Sequence, residues 1–220
     1  AAGAATGSIA STAAETKTIS ATINGQGLIA TYEVVFIPGD VDLSLSEVSV
    51  DRTEITADGA DEVTVTVTVR DSSNNPVPGA GVVLTATGSG NDITQPVGVT
   101  GGDGIATGTV RSTVAESKTI GATFAGQPLA DAEVVSFVAG PADMARSTIT
   151  AAPDTVVADG SSRADVTVTV LDANDNPVPG AVVTLSSDGS GNDITQPVGV
   201  TGAAGAATGS IASTAAETKT

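Results

Sequence analysis

Alternation of apolar and polar residues is sharpest in "EVTVTVTVR" (62 to 70), where Val63, Val65, Val67 and Val69 share one face and Thr64, Thr66 and Thr68 the other. A period of two over this length predicts an antiparallel strand buried on one side. The same face returns 101 residues later as Val166, Val168 and Val170, with Ala164 in place of the first valine. Further strands are predicted at 44–50, 81–87, a short piece at 96–99, 105–112, 118–124 and 131–138. "ADGAD", "SSNNPVPG", "GSGND", "GGDG" and "AGQP" separate them as turns. Seven short strands in roughly 100 residues predict an all-β, Greek-key sandwich. The density of Gly, Pro, Thr and Val argues against helices. Within "INGQGL" (23 to 28), Asn24-Gly25 predicts a hairpin turn, because both residues tolerate positive φ.

The pattern repeats. "NPVPGA" occupies 75–80 and 176–181, and "GSGNDITQPVGVTG" occupies 88–101 and returns unchanged at 189–202. The opening "AAGAATGSIASTAAETKT" (1–18) agrees at 10 of 18 positions with 102–119 and at all 18 with 203–220. Two similar units therefore alternate, with a full period of 202 residues. The predicted organisation is the C-terminal part of a domain at 1–39, a complete domain at 40–140, and the N-terminal part of a domain at 141–220. A segment like 19–39 would complete that last part. Two explanations fit: a longer, covalently continuous array, or separate subunits that lend strands end to end. Tandem duplication explains the overlap directly.

Composition narrows the chemistry. The 220 residues include no His, Cys or Trp, so nitrogen and sulfur metal sites and the usual nucleophile–base pairs are lacking, and no enzyme is expected. The net charge of −17 disfavours nucleic acid and anionic membrane surfaces. No apolar run is long enough to span a bilayer and no signal-peptide pattern opens the chain, which reads as a mature or excised segment. "TGSGND" precedes no helix and no Lys follows, so it is not a phosphate loop.

The ordered string "ITADGADEVTVTVTVRDSSNNPVPGAGVVL…TGGDGIATGTVRSTVAESKTIGATF" resembles the bacterial immunoglobulin-like domains of the invasin and intimin type. The second copy carries "VADGSSRADVTVTVLDANDNPVPGAVVTL", with "AAGAAT" in place of "GDGIAT". The resemblance implies a bacterial cell-surface or secreted protein whose tandem domains form a stiff stalk. The family's adhesive residues usually lie in a terminal lectin-like or specialised domain, which nothing here matches, so no binding residue is carried over.

Two motifs invite chemistry. "DANDNP" (172–177) looks like a carboxylate-rich cation motif, and an interdomain calcium could draw on Asp92 and Glu116 from one domain and Asp143, Asp172 and Asp175 from the next. Solvated Asp and Asn turns are the plainer reading, since the other copy, "DSSNNP", has lost a carboxylate. Lys17, Lys118 and Lys219 occupy one repeated position on the apolar parity of a strand. An isopeptide crosslink to a buried Asn or Asp is one reading; a packed stem with its amine in water is the commoner one. The unchanged "GSGNDITQPVGVTG" fits either a lateral or junction contact or recent duplication.

The expected function is structural: a stalk or filament of tandem domains on the bacterial cell surface, its partners being neighbouring copies of the repeat, end to end. Each domain would extend roughly 35 to 45 Å, given about 3.3 Å per strand residue. The linkers "PGDVD" (38–42) and "AGPAD" (139–143) contain Pro and little slack. The alternatives are a ligand-binding adhesion module, which would need aromatic or Arg anchors, and a non-covalent filament subunit joined by strand complementation.

Overall fold

The computed structural model describes residues 3–220, and among them every regular element is a strand. In chain order these are β1 (Thr16–Ile19), β2 (Thr22–Ile23), β3 (Gln26–Gly27), β4 (Tyr32–Val35), β5 (Glu47–Val50), β6 (Glu54–Thr56), β7 (Val63–Thr68) and β8 (Val82–Ala86). They continue with β9 (Asn91–Thr94), β10 (Ile105–Ser112), β11 (Ser117–Phe124), β12 (Gln127–Val138), β13 (Thr148–Ala152), β14 (Ala164–Thr169), β15 (Asn192–Thr195) and β16 (Ala206–Ser213).

Two four-stranded sheets form the middle unit, in the orders β5-β7-β10-β9 and β6-β12-β11-β8. The alternating valines face inward as their spacing demands: Val63, Val65, Val67 and Val69 are fully buried against a core that includes Leu84, Ile120, Val135 and Phe137. Each such side chain contributes about 1.5–3 kcal/mol on burial, and the core closes without a disulfide.

Two expectations fail here. The short piece at 96–99 is a turn, and the strand lies upstream at β9, which begins inside the "GSGND" stretch read as a turn and pairs antiparallel with Thr109–Ser112. Gln95 ends β9 by bridging the sheets, its amide bonding both the N–H and the C=O of Leu84 at 2.7 and 3.0 Å. Pro96 follows without an N–H to extend a ladder. The second failure is β6, three residues that run parallel to Ser136–Val138 and bring the count in this unit to eight strands.

The flanking pieces are parts of the same plan. In the third unit, β13-β14-β16-β15 repeats the order β5-β7-β10-β9, and Thr148↔Thr169 repeats Glu47↔Thr68 at an offset of 101. A second sheet is not formed among the described residues 141–220. Residues 155–157 and 183–187, which align with β6 and β8, form no strand. In the middle unit these strands lean on β12 and β11, whose counterparts would fall after Thr220. The first segment holds an equivalent of the β11–β12 hairpin: Thr16↔Val35 and Ile19↔Tyr32 repeat Ser117↔Ser136 and Ile120↔Glu133. Asn24 and Gly25 turn it with φ of 52° and 83°.

Candidate interdomain junctions

The register of β7 against β10 places Thr68 beside Ile105 at one end of the middle sandwich and Val63 beside Val110 at the other. The loop after β7 (71–76) therefore sits at one pole and the loop after β10 (113–116) at the opposite pole. The first meets the preceding segment and the second meets the third unit, so the chain has two junctions to compare.

At each junction an Asp and an Asn four residues apart build the contact. Asp172 Oδ1 accepts the backbone N–H groups of Asn174 and Asn176, both at 2.8 Å. Its Oδ2 accepts the N–H of the linker residue Gly140 and the side-chain amide of Asn176, both at 2.9 Å. Asn176 then reaches across the junction: its Oδ1 accepts from Ala115 N–H at 2.8 Å and its Nδ2 donates to Thr113 C=O at 3.0 Å. Asn174 Nδ2 adds a bond to Ala57 C=O at 3.1 Å.

Asp71 and Asn75 repeat the arrangement. Asp71 accepts from Ser73, Asn75 and Gly39 N–H groups and from Asn75 Nδ2, at 2.8 to 2.9 Å. Asn75 bonds Ala14 N–H and Thr12 C=O, each at 2.8 Å. A one-residue excursion with positive φ, at Asn74 (66°) and Asp175 (65°), lets both loops turn back onto their own Asp, and Asn and Asp tolerate that region.

Both carboxylates are buried, Asp71 3% and Asp172 2% exposed, yet hydrogen bonds favour the charged form of each. Hydrogen bonds from Asn75 and then from Gly39 lower the pKa of Asp71 to about 2. Burial pushes Asp172 upward, but the bonds from Asn176 and Gly140 outweigh it and leave the group below its ordinary value. The linkers have no slack, since Asp42 and Asp143 N–H groups bond the carbonyls of Arg70 and Leu171 at 2.8 and 2.7 Å.

The gripped loop is braced from below. Lys118 is fully buried, and its ammonium donates to Glu116 Oε1 at 2.6 Å and to Ser89 C=O at 2.7 Å, 5.5 Å from the centre of the Phe137 ring. Glu116 also accepts from Ser89 N–H at 2.8 Å, and the Lys118 bond followed by this one holds its pKa below the usual range. Gly88 must be glycine here: its φ is +79°, and a Cβ would stand 2.2 Å from Glu116 Oε1. The expectation of an amine in water is therefore corrected, because strand parity drives this Lys into the sandwich. Lys219 keeps the same two partners, Glu217 and Ser190 C=O, whereas Lys17 keeps only Glu15.

The five proposed cation ligands are not brought together. Asp92 pairs with Arg111 at 2.7 Å, Glu116 with Lys118, and Asp175 with Arg146 at 2.9 Å. Asp143 Oδ1 accepts from Ala145 N–H at 2.7 Å, and both oxygens of Asp172 are occupied by protein donors. Among the described residues, no group of three or more His, Cys, Asp or Glu could hold a metal. Sequence reasoning weighed the carboxylates of 172–177 and missed Asn75, Asn176, Gly39 and Gly140. The available signal was the D-x-x-x-N-P spacing, which both copies keep while the residues between change.

Two facing sheets joined in Greek-key manner, coupled end to end by short fastened linkers, define tandem immunoglobulin-like β-sandwich modules. The chain belongs to the bacterial Ig-like domain (group 1) family, whose model matches residues 45–138 and 146–220. It is 29% identical over 185 residues to the inverse autotransporter adhesin YeeJ of Escherichia coli K12, a match covering 83% of this chain and only 8% of that protein's length. In fold it is similar to the Escherichia coli adhesin FdeC, with a TM-score of 0.59 at 22% identity over 91% of this chain and 65% of that one. It is also similar to invasin, a bacterial integrin-binding protein, with a TM-score of 0.65 at 20% identity over 92% and 40%.

Proposed function

We propose that this chain is a stalk segment of a bacterial surface adhesin, a mechanical spacer on the outside of the cell that holds a binding element away from the envelope. The observation that carries the reading is the double occurrence of the Asp–Asn clamp. The same buried carboxylate fastens the linker glycine, and the same amide grips the previous unit, at both junctions. Repeating one rigid joint converts a string of small domains into a strut, and no substrate or cofactor is needed for that task. Relatives described as adhesins support the setting.

A ligand-binding role within these residues has less support. Arg111, Arg146 and Arg163 are each paired with an Asp, and the single Tyr, Tyr32, lies on the open hairpin. The net charge of −17 suits a solvated shaft. The test is a length law. Polypeptides carrying one, two and three copies of the 202-residue period should show maximum dimensions, by small-angle X-ray scattering, that rise by an equal increment of roughly 80 Å per copy. Growth that falls off toward the square root of copy number would refute the stalk.

A further inference from the structure

The chain enters the middle unit at one pole and leaves it at the other. Asp42 N–H bonds the carbonyl of Arg70, just past the end of β7 where Thr68 faces Ile105. Val138 ends β12 two residues beyond Ser136, which faces Ser117, the residue that follows the gripped loop 113–116. A pull along a row of such units therefore draws residues 42 and 138 apart lengthwise, in the direction of the strands.

Between those two points lies a ladder of unusual sense. The other ladders of this unit are antiparallel, but β6 runs parallel to the end of β12, in the register Glu54↔Ser136, Ile55↔Phe137 and Thr56↔Val138. One strand belongs to the entering chain and the other to the leaving chain. Tension slides them past each other, so the evenly spaced bonds of this parallel ladder lengthen together, whereas a ladder pulled sideways opens one bond at a time. Bonds at both ends close it: Ser136 N–H donates to Thr53 C=O and Ala57 N–H to Val138 C=O, each at 2.8 Å. Ile55, Ala57 and Phe137 are buried, and a dry setting strengthens these bonds. The outer edge of β6 is held as well, because Thr56 N–H donates to Asp61 Oδ2 at 3.1 Å and Asp61 pairs with Arg52, in the crossover from β5, at 2.9 Å. The next unit grips the exit end: Asn174 bonds Ala57 C=O, and Asp172 fastens Gly140, two residues past Val138.

We infer that β6 and the end of β12 form a tensile lock, which lets the middle unit carry a pulling load along the stalk. This deepens the stalk reading and rests on it, since only a stalk with a loaded tip is put under tension. The β5–β7 ladder, from Glu47↔Thr68 to Val50↔Val65, is stressed lengthwise too, but it joins the entering chain to an interior strand. The β6–β12 ladder joins the entering chain directly to the leaving one, so the unit holds while that ladder holds. When it shears, the folded residues between are released, and at about 3.3–3.6 Å per residue the chain lengthens by roughly 300 Å. The unit is thus a strut at working load and an extensible link under overload.

The experiment is single-molecule force spectroscopy on the full 220-residue chain. The chain has no Cys, so handles can be attached at introduced cysteines and the direction of pull chosen. Asp40→Cys with Pro141→Cys loads the unit lengthwise; Asp40→Cys with Gln127→Cys places both handles at the entry pole and loads it sideways. The lengthwise pull should give one abrupt rupture at a force several-fold above that of the sideways pull at the same loading rate. Ala57→Pro, which deletes the N–H that bonds Val138, should lower the lengthwise rupture force and leave the sideways one near its parent value. Equal forces in the two directions overturn the inference, and so does an Ala57→Pro chain that ruptures lengthwise at the parent force. Should Ala57→Pro fail to fold, the comparison of directions decides alone, because it leaves both strands intact. The scattering length law measures the unloaded shape, so it tests the stalk separately from the lock.

Discussion

Replacing Asn176 by Ala removes the two bonds that cross the second junction, to Ala115 N–H and Thr113 C=O, and the bond that orients the amide against Asp172. A net worth of about 0.5–1.5 kcal/mol for each crossing bond gives roughly 1–3 kcal/mol of lost coupling. That range corresponds to a 5- to 150-fold gain in open over closed junctions. The fold of each unit should survive, because these bonds join units and lie outside either core. The chain has no Cys, so a pair of spin labels can be placed at introduced cysteines on either side of Gly140. Pulsed dipolar spectroscopy should then show one narrow distance distribution in the parent and a broad one in Asn176→Ala. Asn176→Asp should be worse than Ala at neutral pH, because it sets a second carboxylate where an amide donor now stands 2.9 Å from Asp172, and acid should relieve it. Identical distributions for the parent and Asn176→Ala would refute the clamp as the source of stiffness.

Other consequences follow from the same geometry. Asp71 has its pKa lowered from 3.8 to about 2 in the closed junction, so its contribution is complete above 3.8 and is lost as the pH falls toward 2; the same label pair moved to the first junction should report opening only in that window. Lys118→Ala should destabilise the middle unit by about 2–4 kcal/mol in urea, through the emptied volume of a fully buried stem, while Lys17→Ala on the open hairpin should be nearly silent. Gly88→Ala should cost more than Gly98→Ala in thermal melts, since both have positive φ but only the Gly88 Cβ would meet Glu116. Calcium at constant ionic strength should leave the melting temperature where chelator leaves it, because donors from the protein already occupy both oxygens of Asp172.

Most of the sandwich was legible because local period and global burial agree: Val63 to Val69 alternate in sequence and are buried in space. The strands that escaped notice are those whose existence depends on a distant partner. Asn91–Thr94 contains turn formers and becomes a strand only beside Thr109–Ser112, and Glu54–Thr56 is too short to show a period and exists by pairing with Ser136–Val138. The clamp was hidden for the same reason. Asn176 finds Ala115 61 residues away and across a domain boundary, so local pattern shows only an Asn in a turn. The Lys118 position was half legible: its parity predicted the buried stem, but its acceptors are the Ser89 carbonyl, from a loop 29 residues away, and the Glu116 carboxylate at the mouth of its own strand.

If the Asp172–Asn176 clamp holds as its bonds indicate, the middle and third units tumble as one rigid body. Backbone ¹⁵N relaxation of the uniformly labelled chain tests it most directly. Amides of β7 and β14 should fit a single, strongly anisotropic diffusion tensor. Two separate, faster tensors, one for each unit, would contradict it.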